Sequence, residues 1–343
     1  MDIVESIKII MGGRDLNRQE MSSVINQILT GLASDAQIGA FLVSLNIKGE
    51  SIEEIIGAAE VMRSLSLKVL VDKTNLVDTC GTGGVGKKIF NVSTTAAFVA
   101  SSCGAKVAKH GNRSVTRSSG SADLIENTGV SIDLKPEQVK DCIEKVGIGF
   151  MFAPAHHGAM KYAAGPRKDL AIKTIFNLLG PLTNPAGAKR QVIGVYDIKW
   201  VKPVAEVLKE LGSEHVMVVH SEDGLDEISI GSLTNVAELK DGKIREYVIS
   251  PEDFGFNLSS IDDLLVNSTK ESLNLSRKAL NGEIEAASNM ISMTSGAALY
   301  VAGIANDIKE GVEFSQKNLK NGKAAQKLEE LKLFTNSLQQ NEK

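Results

Sequence analysis

Up to about residue 70 the chain carries apolar residues at spacings of three and four, which predicts short amphipathic helices; Ile25, Ile28, Leu29 and Leu32 make one such stripe. Two helix starts are marked by a side-chain acceptor followed three residues later by a carboxylate. These pairs, Asn17 with Glu20 and Ser51 with Glu54, can satisfy free N–H groups of a first turn. Gly12, Gly13, Gly31 and Gly49 stand where these helices should stop.

The pattern changes at Leu76. Leu76-Val77-Asp78-Thr79-Cys80 reads as a short strand running into Gly81-Thr82-Gly83-Gly84-Val85-Gly86, and Asn91 to Ser102 reads as a helix. Further strands are expected at Ala105 to Lys109, Gln191 to Tyr196 and His215 to His220, with helices at Pro136 to Val146 and Val201 to Leu211. Such alternation favours an α/β fold with a mostly parallel sheet covered on both faces. Val236 to Ile249 alternates about Asp241-Gly242, a two-residue hairpin signal, so the later part of the sheet should turn antiparallel. From about Thr269 the pattern is helical and ends in a Gln/Asn/Lys tail expected to fray.

With 343 residues, 43% of them hydrophobic, the chain can bury a large core, as two domains or one large α/β domain. A formal net charge of −4 argues against an extended basic surface for nucleic acid, though it leaves room for a local basic pocket. Cys80, Cys103 and Cys142 lack CxxC spacing and read as reduced core thiols rather than zinc ligands. The N-terminus has no basic segment followed by an apolar run, and no apolar stretch of about 18 residues occurs, so a soluble cytoplasmic protein without membrane contact is expected.

Three segments carry candidate chemistry. Four glycines within Gly81 to Gly86 allow backbone N–H groups to approach an anion closely, and Asn91-Val92-Ser93-Thr94 would follow with a helix N-terminus and two hydroxyls. The loop fits neither the Walker pattern nor a clean GxGxxG fingerprint. Lys109-His110-Gly111-Asn112-Arg113-Ser114 gathers two permanent cations, an amide and a glycine in one turn that can hold phosphate and carboxylate together. Asp226-Glu227 follows the strand ending at His220, and adjacent carboxylates beyond a strand's carboxyl end suit magnesium, which takes oxygen ligands and keeps waters. Each segment standing alone has a plainer reading: a structural turn, a solvated basic loop, a solvated acidic loop. His156-His157 is expected to pack or to line a pocket, because adjacent histidines do not share a helix face.

Taken in order, the motifs Asp78-x-Cys-Gly-Thr-Gly-Gly, Phe90-Asn91-Val92-Ser93-Thr94, Lys109 to Val115, Ser119-Gly120-Ser121-Ala122-Asp123, His156-His157-x-x-Met160-Lys161, Phe176 to Pro185 and Asp226-Glu227 resemble the anthranilate phosphoribosyltransferase family over nearly the whole chain. The resemblance implies a small helical domain, residues 1–70 with a segment returning near 165–190, hinged to a larger α/β domain over the remainder of 71–343 and paired into a homodimer. It implies that phosphoribosyl diphosphate is held by Gly81, Gly84, Val85, Ile89, Asn91, Val92, Ser93, Thr94, Lys109, His110, Gly111, Asn112, Arg113, Ser114, Val115, Thr116, Arg117 and Ser121. Anthranilate would meet Gly81, Asn112 and Arg167, and Mg2+, two ions per monomer, would meet Ser93, Asp226 and Glu227. No residue is implied as general acid or base. The family usually has Asp at Val85, Thr at Ile89 and Ser-Ser-Lys at Thr116-Arg117-Ser118, which bears on metal use and donor affinity. A pyrimidine nucleoside phosphorylase, or a nucleic-acid-binding relative of the same fold, is the alternative.

Overall fold

The computed structural model describes residues 1–113 and 119–340. Four helices open the chain: α1 (Ile3–Met11), α2 (Arg18–Leu29), α3 (Asp35–Lys48) and α4 (Ile52–Leu65). The expected capping boxes form at Asn17/Glu20 and Ser51/Glu54, and Ser34/Gln37 adds a third. Glu54 does more than cap: fully buried, it accepts from the Leu16 amide at 2.9 Å and pairs with Lys48 at 2.9 Å, tying α4 to the α1–α2 loop and to α3. Leu32 departs from the expected stripe. Helix α2 ends at Leu29, Gly31 takes φ +78, and Leu32 lies beyond the turn, 75% exposed.

The α/β part runs β1 (Leu76–Gly81), α5 (Val92–Ser102), β2 (Lys106–Gly111), α6 (Ser121–Asn127), α7 (Pro136–Asp141) and β3 (Ile148–Phe152). It continues through α8 (Ala153–His156), α9 (Lys161–Leu170), α10 (Ile175–Leu182), β4 (Arg190–Gly194), α11 (Val201–Glu210), β5 (His215–Ser221), β6 (Thr234–Lys240) and β7 (Lys243–Ile249). Helices α12 (Thr269–Leu280), α13 (Glu285–Ala302), α14 (Ile308–Lys320) and α15 (Lys323–Gln340) complete it. Helix α15 runs to Gln340, and the rest of the tail expected to fray, residues 341–343, lies outside the described residues. Strand β3 has no counterpart among the sequence-predicted strands. Its apolar run continues directly from the helical pattern of Pro136 to Val146, which itself ends in a π-helical turn at Cys142–Val146, and only Gly147 at φ +92 separates the two.

The sheet order is β3-β2-β1-β4-β5-β6-β7; the β5–β6 and β6–β7 pairs are antiparallel and the other pairs parallel. The hairpin turns at Asp241 (φ 51) and Gly242 (φ 71), as its sequence predicts. Along β5, Met217 and Val219 enter the core shared with α5 and α13, while Val216 and Val218 enter the core shared with α11 and the N-terminal helices. Burial on both faces is why this strand reads as an unbroken apolar run. Helices α9 and α10 return to the N-terminal helices, α9 against α2 and α3 and α10 against α3 and α4. Connections from the neighbouring strands β1 and β4 leave in opposite directions, so a crevice opens beyond their carboxyl ends.

On the far side of the sheet, α13 and α14 touch backbone to backbone. A Cβ at Gly311 would sit 2.3 Å from the Gly296 carbonyl oxygen, too close for any rotamer to relieve. Although alanine is the better helix former, the clash should win, and Gly311→Ala is expected to cost about 2 kcal/mol of stability. Urea unfolding checks this: an unchanged midpoint would mean the two helices part freely.

Candidate functional site

The loops after β1, β4 and β5 meet at the carboxyl ends of these parallel strands. The glycine loop after β1 is anchored to β4, Thr82 donating its amide to the Gly194 carbonyl at 2.8 Å and its hydroxyl accepting from the Tyr196 amide at 3.0 Å. Gly83 and Gly84 take φ +63 and +80, conformations that side chains rarely adopt. At its other end the loop is pinned by packing. Val85 and Ile89 are buried, Ile89 forms an antiparallel bridge to Leu265, and the Phe90 amide donates to the Leu264 carbonyl at 3.1 Å.

Asp226 and Glu227, 3% and 7% exposed, close the crevice from the loop after β5. Asp226 Oδ2 accepts from the Gly83 amide at 3.0 Å, and Glu227 Oε1 accepts from the Ser93 amide at the start of α5 at 3.3 Å. Two acids thus lie on N–H groups of the glycine loop and of a helix N-terminus, both anion-seeking elements. Gly194 makes this approach possible, since a Cβ there would lie 1.7 Å from the Asp226 carbonyl oxygen. Hard carboxylate oxygens beside phosphate-type donors are a set that fits Mg2+ better than zinc. Among the described residues no group of three or more His, Cys, Asp or Glu forms an all-protein metal cage.

Beneath the loop runs a buried polar network. Asp78, fully buried, accepts from Asn184 Nδ2 at 2.7 Å and from the His110 amide at 3.3 Å, and Asn184 Nδ2 also reaches the Ala108 carbonyl at 2.9 Å. Burial raises the pKa of Asp78, while the nearby Lys109 charge and these hydrogen bonds oppose the rise. Asn184, quoted in a motif but given no role from sequence, therefore joins β1, β2 and the α10 turn.

The remaining predicted residues divide. Asn91 belongs to the site but is held from both sides: its amide oxygen accepts from Ser272 Oγ of α12 at 2.7 Å and its Nδ2 donates to the Ser119 carbonyl at 3.3 Å. Ser272 was missed from sequence, being one serine in an ordinary amphipathic helix. Val92 and Thr94 are buried in α5, so Val92 has only backbone to offer at the loop. Lys109 is 3% exposed and its ammonium donates to the Thr79 carbonyl, so it supports the strand ends from below rather than facing the crevice. Arg113 also departs from a phosphate-facing position. Exposed, it pairs with Glu126 at 2.6 Å and Asp123 at 3.4 Å, because α6 presents two acids three residues apart. Gly111 lets Ser121 close against β2, where a Cβ would meet Ser121 Oγ at 2.0 Å, and Ser121 Oγ donates to the Asn112 carbonyl at 3.3 Å. Ser114, Val115, Thr116 and Arg117 lie outside the described residues. Arg167 of α9 is half-buried, 5.3 Å from the centre of the Phe176 ring; burial lowers its pKa, and no carboxylate pairs with it among the described residues.

His110, His156 and His157 form a buried group, His110 and His157 with ring centroids 5.2 Å apart. His156 Nδ1 donates to the Leu67 carbonyl at 2.9 Å, whereas Nε2 of His110 and of His157 have no hydrogen-bond partner among the described residues. Burial lowers all three pKa values, that of His157 to about 4, with the proximity of the rings adding to the effect for His110 and His157.

Comparison with known proteins places this arrangement. A family model described as the glycosyl transferase family a/b domain matches residues 73–325, and one described as the helical bundle domain of that family matches residues 4–66. The anthranilate phosphoribosyltransferase of Marinomonas sp. (strain MWYL1) is 57% identical over 98% of this chain and 97% of its own, and that of Ectopseudomonas mendocina (strain ymp) is 55% identical over 98% and 97%. The crystal structure of the Thermus thermophilus enzyme of that name superposes with a TM-score of 0.90 at 38% identity, covering 96% of this chain and 99% of the other. The Saccharomyces cerevisiae enzyme in complex with PRPP and Mg gives 0.88 at 25% identity over 98% of both chains.

The histidine group should make the fold acid-sensitive. A His157 whose pKa falls from 6.5 to about 4 on folding disfavours the protonated form in the native state. Stability present above about pH 6.5 is therefore lost as the pH falls toward about 4. His110 and His156 act in the same direction. His157→Phe is expected to remove up to about 3 kcal/mol of this dependence, visible as a flatter decline of the urea midpoint between pH 7 and pH 4.5. Parallel declines in variant and wild type would refute it.

Proposed function

We infer the chemistry of this site from one premise, that the chain belongs to the anthranilate phosphoribosyltransferase family. It is a pentosyltransferase that moves the 5-phosphoribosyl group from phosphoribosyl diphosphate to anthranilate, a step of tryptophan biosynthesis, and this reading stands over the phosphorylase and nucleic-acid-binding alternatives. One observation supports placing the donor at the glycine loop: Asp226 and Glu227 rest on the amides of Gly83 and Ser93. Those amides suit a diphosphate, and the two acids, released from them, suit the cation that accompanies it. We propose that Ser93, Asp226 and Glu227 hold Mg2+, two ions per monomer, and that Gly81, Gly84 and Asn91 with the start of α5 hold the donor. Mg2+ bound there would neutralise charge on the departing diphosphate.

The anthranilate nitrogen, an uncharged aniline-type amine at neutral pH, attacks the anomeric carbon as the bond to the diphosphate oxygen breaks. No strong base is needed to generate the nucleophile, so rate enhancement rests on positioning and on donors aimed at the leaving group. Arg167, lacking a carboxylate partner among the described residues, is the group for the anthranilate carboxylate, which a guanidinium can bind as a fork. We propose further that residues 1–70 with 165–190 close as one body over residues 71–164 and 191–343, excluding water that would hydrolyse the donor. A cytoplasmic homodimer paired through the helical body completes the proposal.

The primary test is the loss of anthranilate fluorescence with phosphoribosyl diphosphate, with and without Mg2+. Asp226→Ala combined with Glu227→Ala should abolish turnover throughout a magnesium titration, and retained turnover would overturn the metal assignment. Arg167→Ala should raise the anthranilate KM by about tenfold or more and leave the donor KM nearly unchanged, as expected for the loss of a charge-assisted contact. A selective change in the donor KM would argue against that role.

A further inference from the structure

Helices α9 and α10 are joined by a short connection containing Lys173. Its backbone is fixed by α3, Asn46 Nδ2 donating to the Lys173 carbonyl at 3.0 Å. Its side chain crosses to the glycine loop, where a Cβ at Gly84 would lie 3.2 Å from Lys173 Cε and 3.8 Å from Cδ. Glycine at 84 thus serves two needs, a left-handed backbone and room for this lysine. The ammonium stands 4.1 Å from the centre of the Tyr196 ring, and Tyr196 is itself bonded through its amide to Thr82 in the same loop.

Among the described residues, the other cations flanking the loop are paired elsewhere or exposed. Lys109 is tied to the Thr79 carbonyl and Arg113 to Glu126, while Lys87 and Lys88 are exposed beyond the last glycine of the loop. Lys173 is exposed and, among the described residues, pairs with no carboxylate. An aromatic face at the surface holds an ammonium more weakly than a phosphate oxygen does. An anion in the loop would therefore draw Lys173 from Tyr196 while Gly84 keeps its stem in place.

We propose that Lys173 binds the diphosphate of the phosphoribosyl donor from the helical side of the cleft, so that donor binding itself pulls the two sides together. The proposal rests on the transferase reading above. Its test uses the whole enzyme with Mg2+. Lys173→Met, which keeps the stem but not the charge, should raise the donor KM by about tenfold and weaken calorimetric binding of inorganic pyrophosphate similarly, with the anthranilate KM within about twofold of wild type. Lys173→Arg should restore most of both. A Lys173→Met variant with wild-type donor KM and pyrophosphate affinity, in a wild type that does transfer, overturns the Lys173 contact alone. Equal losses in Lys173→Met and Lys173→Arg accompanied by a lowered Tm overturn it in favour of a structural role. Lys173-dependent pyrophosphate binding in a chain that does not consume anthranilate supports the contact and overturns only the transferase reading.

Discussion

The contact on which the site depends is between two backbones. Strand β4 ends at Gly194 against the carbonyl of Asp226, at a separation that admits no Cβ. Because β4 also receives the Thr82 amide, the same glycine fixes the start of the glycine loop and the position of the acidic pair. The carboxylates of Asp226 and Glu227 then meet the Gly83 and Ser93 amides. Geometry set by packed strands is stiffer than geometry set by loops, and it places acids and anion donors together before a ligand arrives.

Beneath that surface the protein buries charge and polar groups at some cost. Asp78 and Lys109 are both removed from water, with Asn184, the His110 amide and the Thr79 carbonyl supplying what water would have supplied. The adjoining histidines are kept neutral by burial. The permanent cations Arg167 and Lys173 stand on the helical side, on and just after α9.

Two departures from the family's usual residues, Val85 and Ile89, are absorbed by packing, while Thr116-Arg117-Ser118 lies outside the described residues. Val85 is buried, and Ile89 bridges to Leu265 while the flanking Lys88 carbonyl accepts from the Val266 amide at 2.7 Å. Apolar residues at these two positions hold the far end of the loop against the 264–266 segment and leave the amides of Gly83 and Ser93 in place. What Val85 removes is a carboxylate, so the acids near the loop amides are those from the strand β5 side.

Local rules were enough to read the elements whose causes are local. Capping boxes at Asn17 and Ser51, the hairpin at Asp241-Gly242, the strand–glycine–helix unit at Leu76 to Ser102 and the acidic pair after β5 all follow from neighbouring residues, and the order of motifs carried the family. Only the tertiary structure decided what depends on distant partners. Strand β3 is indistinguishable from the end of a helical run until it pairs with β2, and Leu32 leaves its stripe because the helix stops first. Lys109 and Arg113 share a motif, yet one turns inward to Thr79 and the other outward to Glu126, and Gly194, Asn184, Ser272 and Lys173 gain meaning only from groups tens of residues away. Sequence determines which groups are present and their local conformation; the direction of a side chain is set by whichever partner the packed fold brings within reach.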